Sequence, residues 1–416
     1  MSSHTVLDSV ALGYQPVWNR GRQLAAVRLD VQVLQPEAVD AEHLLRALGN
    51  DWPVAAPTLI LALSSPAVVD QLLDSEPMNN TWLEVPGERF TDPDSLIRLM
   101  RAAHRGHRLL RRADLAALRG EIIAPIDARS LLRLSPEEAL EALRARPTEA
   151  LPVPQRPSPV LPGQIYEGVA SRALAEHCLD EAGAWGLLGW PDEDVLHAWR
   201  HRPVGCDMLN LAAVQQAIQG EASLDQVERL VRQDPVLVYR LLLLVNSAAF
   251  GLKREIDSLR HALMMLGFTR LGDWLAEQGT GAEDDAALHP VRYGMVMRAR
   301  LGQHLLDPGA DDNLRAEVYL TGLFAQLDRL MHEPLGLLLN RLPLSGRVGD
   351  ALLRQGGAYR PHVEIAWAMS EANLQHPLAE ICKRHEFSLE LANRALLRML
   401  STSRDHRREP ARALAI

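Results

Sequence analysis

The residues most able to do chemistry in the first half form a basic run. Arg101, Arg105, Arg108, Arg111, Arg112 and Arg119 lie within twenty positions, with His104 and His107 interleaved. Guanidinium and imidazolium groups at that density can hold phosphate or a nucleic-acid backbone. A run of this kind is more often a solvated face paired with nearby acids. Aromatic residues are only 5% of the chain and none lies inside the run, which weakens a base-stacking role. The whole chain also argues against non-specific DNA binding, because 44 Lys and Arg face 53 Asp and Glu for a formal charge of −9. Cys178, Cys206 and Cys382 are too few and too far apart for a disulfide framework or a CxxC zinc site. They read as small buried hydrophobes in a reducing compartment.

Elements must position such groups, and the chain changes texture near its middle. Its 416 residues predict two or three domains at roughly 150 residues each. The first part alternates short apolar runs with helical patterns. The runs are Tyr14–Trp18, Leu24–Leu34, Thr58–Leu63, Trp82–Val85, His107–Leu110, Ile122–Ile126, Val160–Glu167 and Trp185–Leu188. Such alternation predicts an α/β layer or barrel. Ser135, Pro136, Glu137 and Glu138 form a helix start, with a cap, a first-turn proline and acids at the positive end of the dipole. The six prolines between Pro147 and Pro162 predict an extended loop inside this domain, because a further strand–helix–strand unit follows.

After Pro191 the pattern is helical. Asp234–Pro235 caps a helix that is apolar on nearly all sides, VLVYRLLLLV, and so should be buried. Asn246 and Ser247 end it, where their side chains can satisfy orphan carbonyls or amides. Gly251 and Gly267 permit backbone angles that end helices. A next helix is expected from Asp257 to Gly267, and Thr269 is expected to cap another. The N-terminus lacks a basic region followed by an apolar run, so no secretory signal is expected. The longest pure apolar run, Leu241 to Val245, is far short of a membrane span. A soluble, cytoplasmic protein is the expectation.

The second half resembles the HDOD domain. The resemblance rests on Asp234–Pro235, Asn246–Ser247–Ala248, Phe250–Gly251, Ile256, Ser258, Ala262 and Leu266–Gly267, in order. Residues Tyr319–Asp328 resemble the continuation found in EAL–HDOD proteins of the YuxH type. Among these motif positions Asp234, Pro235, Asn246, Ser247, Phe250, Gly251, Ser258 and Gly267 are read as structural. HDOD is similar in fold to metal-dependent HD phosphohydrolases, but the position that resembles their His-Asp pair holds Ala325–Gln326. The neighbouring His332–Glu333 is too little to replace it.

The first half resembles an EAL domain, the fold of cyclic-di-GMP phosphodiesterases. Tyr14–Val17, Gly106–Leu109, Ile122–Asp127, Ile165–Val169 and Ala184–Pro191 carry the resemblance through their order. It implies a TIM-like (β/α) barrel over residues 1–198 and a helical HDOD domain over 199–416. It also implies a set of metal-binding acids, of which Glu84, Asp127 and Glu167 survive here. The Glu of the name motif falls near Val27 or Arg28, an Asn on Ala62, the paired aspartates on Arg112 and Ala113, and the Lys on Ala124 or Pro125. Asp30 lies two or three positions out, and an odd shift would turn it to the other face of its strand. Arg112 would repel a cation where the family holds metal.

The expected protein is therefore multidomain, α/β plus all-α, with a degenerate barrel, no cofactor, no metal and no enzymatic activity. Its function would be that of a non-catalytic signalling scaffold in a cyclic-di-GMP-type or two-component pathway. The partners implied are other signalling proteins or a second copy, with neither membrane nor nucleic acid. A residual phosphodiesterase or a cyclic-di-GMP binder is the alternative. A weaker third reading places an anion patch at Arg108, Arg111 and Arg112.

Overall fold

A computed structural model describes residues 5–50, 52–53, 56–119, 126, 128–145, 157–247, 258–279, 285–370 and 378–403. The chain divides into two compact units. One comprises Met1–Asp194 together with Ala368–Ile416, and the other Val195–Trp367.

The first unit is a closed barrel of eight strands in sequence order. They are β1 (Val10–Trp18), β2 (Leu24–Val33), β3 (Thr58–Leu63), β4 (Thr81–Pro86), β5 (Arg108–Asp114), β6 (Arg129–Arg133), β7 (Ile165–Glu167) and β8 (Gly186–Leu188). Strand β1 is antiparallel to both neighbours and the other contacts are parallel. Outer helices are α1 (Ala41–Asn50), α2 (Pro66–Asp74), α3 (Pro93–His104), α4 (Leu115–Arg119), α5 (Pro136–Arg144) and α6 (Arg172–Glu176). Helix α7 (Asp192–Trp199) crosses into the second unit.

Side chains alternate between the barrel interior and the helices, as strand geometry requires. Val17, Ala26, Ile60, Leu110, Leu131, Ile165 and Leu188 form the apolar interior. Two residues further along several of these strands the inward positions become charged. Ser135 and Glu138 form the expected reciprocal cap at the start of α5. The sixth strand is Arg129–Arg133, downstream of the apolar run Ile122–Ile126. Residues 120–125 and Asp127 lie outside the described residues. Residues 146–156 of the proline-rich stretch lie outside the described residues, and β7 and β8, which follow them, close the sheet.

The second unit contains α8 (Met208–Gln219), α9 (Leu224–Val231), α10 (Pro235–Val245), α11 (Leu259–Leu266), α12 (Phe268–Gln278), α13 (Leu288–His304) and α14 (Asp312–Phe324). It continues with α15 (Leu327–Met331), α16 (Leu335–Leu339) and α17 (Gly346–Leu353). Helix α18 (Arg360–Ser370) crosses back to the first unit. Helix α10 is buried along most of its length, as its all-round apolar sequence predicts. Helices α13 and α14 approach closely, because an added Cβ on Gly322 would stand 2.7 Å from the Ala299 Cα. Among the described residues no helix is long and apolar enough to cross a membrane.

The domain boundary differs from the expected one. It lies at Asp194/Val195, and the residues from Ala368 onward, expected in the helical domain, belong with the barrel. The cause is the contact of α19 (Leu378–Arg384) and α20 (Leu389–Ser401) with β1. Strand β8 covers β1 only at Val17 and Trp18. Beyond those residues Asn393, fully buried, supplies hydrogen bonds to β1. Its amide nitrogen donates to the carbonyls of Leu7 (2.8 Å) and Val10 (2.7 Å), and its oxygen accepts from the Leu12 N–H (3.1 Å). An open strand edge is thus satisfied by a side chain.

Candidate functional site

The C-terminal ends of the barrel strands carry three arginines and three carboxylates in one connected cluster. Arg28 and Asp30 come from β2, Glu84 from β4, Arg112 from β5, Arg133 from β6 and Glu167 from β7. All point inward because they keep even spacing from the inward residues of their strands. The two-residue step from Arg28 to Asp30 puts Asp30 on the same face, so of the two shifts the sequence leaves open the even one holds.

Arg28 is the centre of the cluster. Its Nε donates to Glu84 Oε2 at 2.6 Å and its Nη2 to Glu84 Oε1 at 3.0 Å, a bidentate pair with both side chains buried. Its Nη1 donates to both oxygens of Asp30, at 2.5 and 2.7 Å, and reaches Gln15 Oε1 at 3.4 Å. Arg112 lies 3.6 Å from Glu84 Oε1 and donates to both oxygens of Glu167 at 3.1 Å. Arg133 also donates to Glu167, at 3.1 Å. Burial pushes the Asp30 carboxyl up to about 6, opposed by the Arg28 charge that it shares with Glu84. Burial alone would loosen the Arg28 proton, but the hydrogen bond and charge of Glu84 outweigh it and hold Arg28 protonated even more firmly than an ordinary arginine.

The residues do not fit a divalent metal. Such a cation needs several carboxylate oxygens with lone pairs turned toward one point. Here the lone pairs are engaged by guanidiniums, and a fixed positive charge stands between Asp30 and Glu84. Among the described residues no group of three or more His, Cys, Asp or Glu is arranged to hold a metal ion. Of the three acids expected to survive, Glu84 and Glu167 come together and Asp127 lies outside the described residues. In the sequence Arg28 and Asp30 stand only beside an unmatched motif position, and Arg133 belongs to no motif. The available signal was a charged pair at alternate positions, Arg28-x-Asp30, in an otherwise apolar strand.

A cavity of about 620 Å³ opens beside the cluster, lined by Arg112, Arg133, Glu167 and Asp114 among others. Arg112 and Arg133 keep 41% and 58% of their side chains exposed, so their outer edges face solvent. Gly87 lets the chain pass close to β5, since a Cβ there would be 3.0 Å from the Arg112 carbonyl oxygen.

The expected patch of Arg108, Arg111 and Arg112 is not brought together. Arg111 points outward, is buried, and lies over the Phe90 ring at 5.4 Å. Arg108 begins β5 and Arg112 is near its end, about 13 Å apart at strand rise.

In the helical unit the described motif residues stand at helix ends. Asp234 is fully buried. It accepts from the Val236 N–H at 3.0 Å, the Asp207 N–H at 2.7 Å and Arg292 Nη1 at 3.3 Å. Arg292 in turn donates to the Gly205 carbonyl at 2.7 Å. Pro235 is the first residue of α10 and Asn246 caps its end, donating to the Leu242 carbonyl at 2.8 Å. The Ser247 N–H donates to the Leu244 carbonyl at 3.1 Å. Ser258, rather than Asp257, caps α11, and Gly267 takes φ +70° between α11 and α12. Helix α12 starts at Phe268, so Thr269 lies inside it. Phe250 and Gly251 lie outside the described residues. At the position resembling a His-Asp pair, Gln326 accepts a hydrogen bond from Arg298, whose guanidinium sits 4.7 Å from the Trp367 ring centroid. His332 ends α15 in the left-handed conformation, and Glu333 pairs with Arg341 at the surface.

The HDOD domain family model matches residues 209–331. The chain carries an HDOD domain. That domain spans α8 to α15. The chain is 26% identical over 156 residues to the uncharacterised protein YuxH of Bacillus subtilis, covering 37% of this chain and 38% of YuxH. It is 26% identical over 191 residues to the cyclic di-GMP phosphodiesterase CdgJ of Vibrio cholerae, covering 46% of this chain and 44% of CdgJ. The chain thus spans about two fifths of the length of these curated relatives. Similar solved structures include the MmoQ response regulator of Methylococcus capsulatus, with 18% identity and a TM-score of 0.39 over 47% of this chain and 98% of that one. The FimX EAL domain of Xanthomonas citri, solved with c-diGMP, gives 18% identity and 0.31 over 44% and 86%.

Proposed function

We propose that this chain is a non-catalytic regulatory protein of a cyclic-di-GMP-related signalling pathway, acting through protein contacts of a degenerate EAL-type barrel and the HDOD domain. The observation that carries the reading is the bidentate Arg28–Glu84 pair, extended to Asp30. A guanidinium occupies the space among the carboxylates that metal chemistry would need. Removing it would leave Glu84 buried without its main partner, at a cost of about 3–5 kcal/mol. Cation entry is therefore opposed both by repulsion and by stability. The pathway is suggested by the relative whose name specifies cyclic di-GMP phosphodiesterase.

The test is incubation of the purified full chain with cyclic di-GMP and Mg²⁺ or Mn²⁺. The reading expects no linear dinucleotide product. Turnover abolished by Glu84→Gln would replace it with the phosphodiesterase reading. Binding without turnover is a second reading, favoured by the exposed edges of Arg112 and Arg133 beside the 620 Å³ cavity. Calorimetry with cyclic di-GMP in the absence of metal decides it, with Arg133→Glu expected to abolish any heat of binding at that cavity.

A further inference from the structure

The opposite end of the barrel carries a second polar cavity of about 750 Å³. We propose that it binds a small phosphorylated ligand of mononucleotide size. At this end the inward residues that start β4, β5 and β6 are Trp82, Arg108 and Arg129. Barrels of this kind fill such a layer with branched apolar side chains. Here the layer is aromatic and cationic and remains open.

Trp82 and Arg129 line the cavity, and Trp185 packs against both. The rings of Trp82 and Trp185 lie 5.1 Å apart, tilted by 40°. The Arg129 guanidinium covers both, at 5.0 and 4.6 Å from their centroids. Indole and guanidinium planes of this kind stack on a planar ring. Trp82 Nε1 is moreover a buried donor with no hydrogen-bond acceptor among the described residues. The basic run has no aromatic residue of its own, and strand pairing brings Trp82 beside Arg108.

The rim supplies the anion contacts. Arg108 and His104 are exposed at the cavity, and His107 is anchored by its Nε2 at 2.9 Å from the Ser75 carbonyl oxygen. Gln164 accepts from the Ser130 N–H through Oε1 at 2.6 Å, which turns its amide nitrogen into an available donor. Among the described residues no Asp or Glu lines the cavity, in a chain whose formal charge is −9. Its volume is within the ~300–1,000 Å³ typical of small-molecule sites. The phosphate is assigned to Arg108, His104 and Gln164, and the ring to Trp82 and Arg129. The cavity is independent of the charge cluster at the other end of the barrel.

The experiment uses the full chain, titrated with 5′-AMP and 5′-GMP and followed by tryptophan fluorescence and calorimetry. Adenosine and inorganic phosphate are the comparison arms. The expected result is saturable binding of at least one nucleotide, tighter than either comparison. Arg108→Glu weakens it by about 10- to 100-fold, the usual worth of a hydrogen bond to a charged group, whereas Arg354→Glu on the helical unit leaves it unchanged. Four results overturn the proposal. These are no saturable binding of either nucleotide at about 1 mM, adenosine binding as tightly as the nucleotides, inorganic phosphate binding as tightly as the nucleotides, and nucleotide binding that survives Arg108→Glu.

Discussion

Replacing Arg28 by Met keeps most of the apolar stem and removes the charge. Glu84 is 7% exposed and would keep only Arg112, 3.6 Å away, in place of two hydrogen bonds at 2.6 and 3.0 Å. An uncompensated buried carboxylate costs about 3–5 kcal/mol, and the remaining Arg112 places the expected loss near the lower end, about 3 kcal/mol. For a unit of this size that corresponds to a fall in Tm of roughly 6–12 °C. Five of the eight tryptophans lie in the barrel unit, so its unfolding in urea can be followed by their fluorescence. The double variant Arg28→Met/Glu84→Gln should recover most of the loss. A loss under about 1 kcal/mol at neutral pH, or a double variant as unstable as the single one, would mean that the two side chains do not depend on each other.

Asp30 gives a pH signature of the opposite sign to an ordinary salt-bridged acid. Its carboxyl rises from 3.8 to about 6 in the fold, so between those values the native state holds a proton that the unfolded state has released. Stability should fall as pH rises from about 4 to 6, by no more than about 3 kcal/mol, and Asp30→Asn should flatten that part of the profile in urea unfolding across pH. Asn393→Ala leaves three groups of the Leu7–Leu12 segment without partners and should destabilise the barrel by about 3 kcal/mol. The Leu12 amide should then lose its protection in hydrogen exchange. Gly322→Ala forces α13 from α14 and should cost about 1–3 kcal/mol, whereas Gly336→Ala, with nothing within 4 Å of the added Cβ, should be neutral or slightly stabilising in thermal unfolding.

The barrel was legible because most strands kept an apolar interior position bounded by Gly or Pro. The sixth was not. Ile122–Ile126 looked more strand-like than Arg129–Arg133, whose end residues are arginines turned into the barrel. A charged residue at the inner end of a barrel strand defeats a reading based on apolar runs. The loss of metal ligands was visible in Arg112, but the replacement was not. Nothing in the sequence says that Arg28 reaches Glu84, because their proximity depends on strand closure. Similarly, a lone Asn393 on an apolar helix signals a buried polar contact, while its partner 381 positions away follows only from the fold. Within the HDOD motif Asp234, Asn246 and Gly267 stand at helix ends, where local capping rules place them, while the bonds of Asp234 to Asp207 and Arg292 follow only from the fold.

At the barrel mouth an arginine holds the place of a cation. Calorimetry of Mn²⁺ with the full chain and with the Arg28→Glu variant decides whether it does. No stoichiometric binding is expected for the natural chain, and binding should appear in the variant, where the introduced carboxylate would join those of Asp30, Glu84 and Glu167. One Mn²⁺ bound per natural chain, and released by Glu84→Gln, would show that the arginine does not take the cation's place.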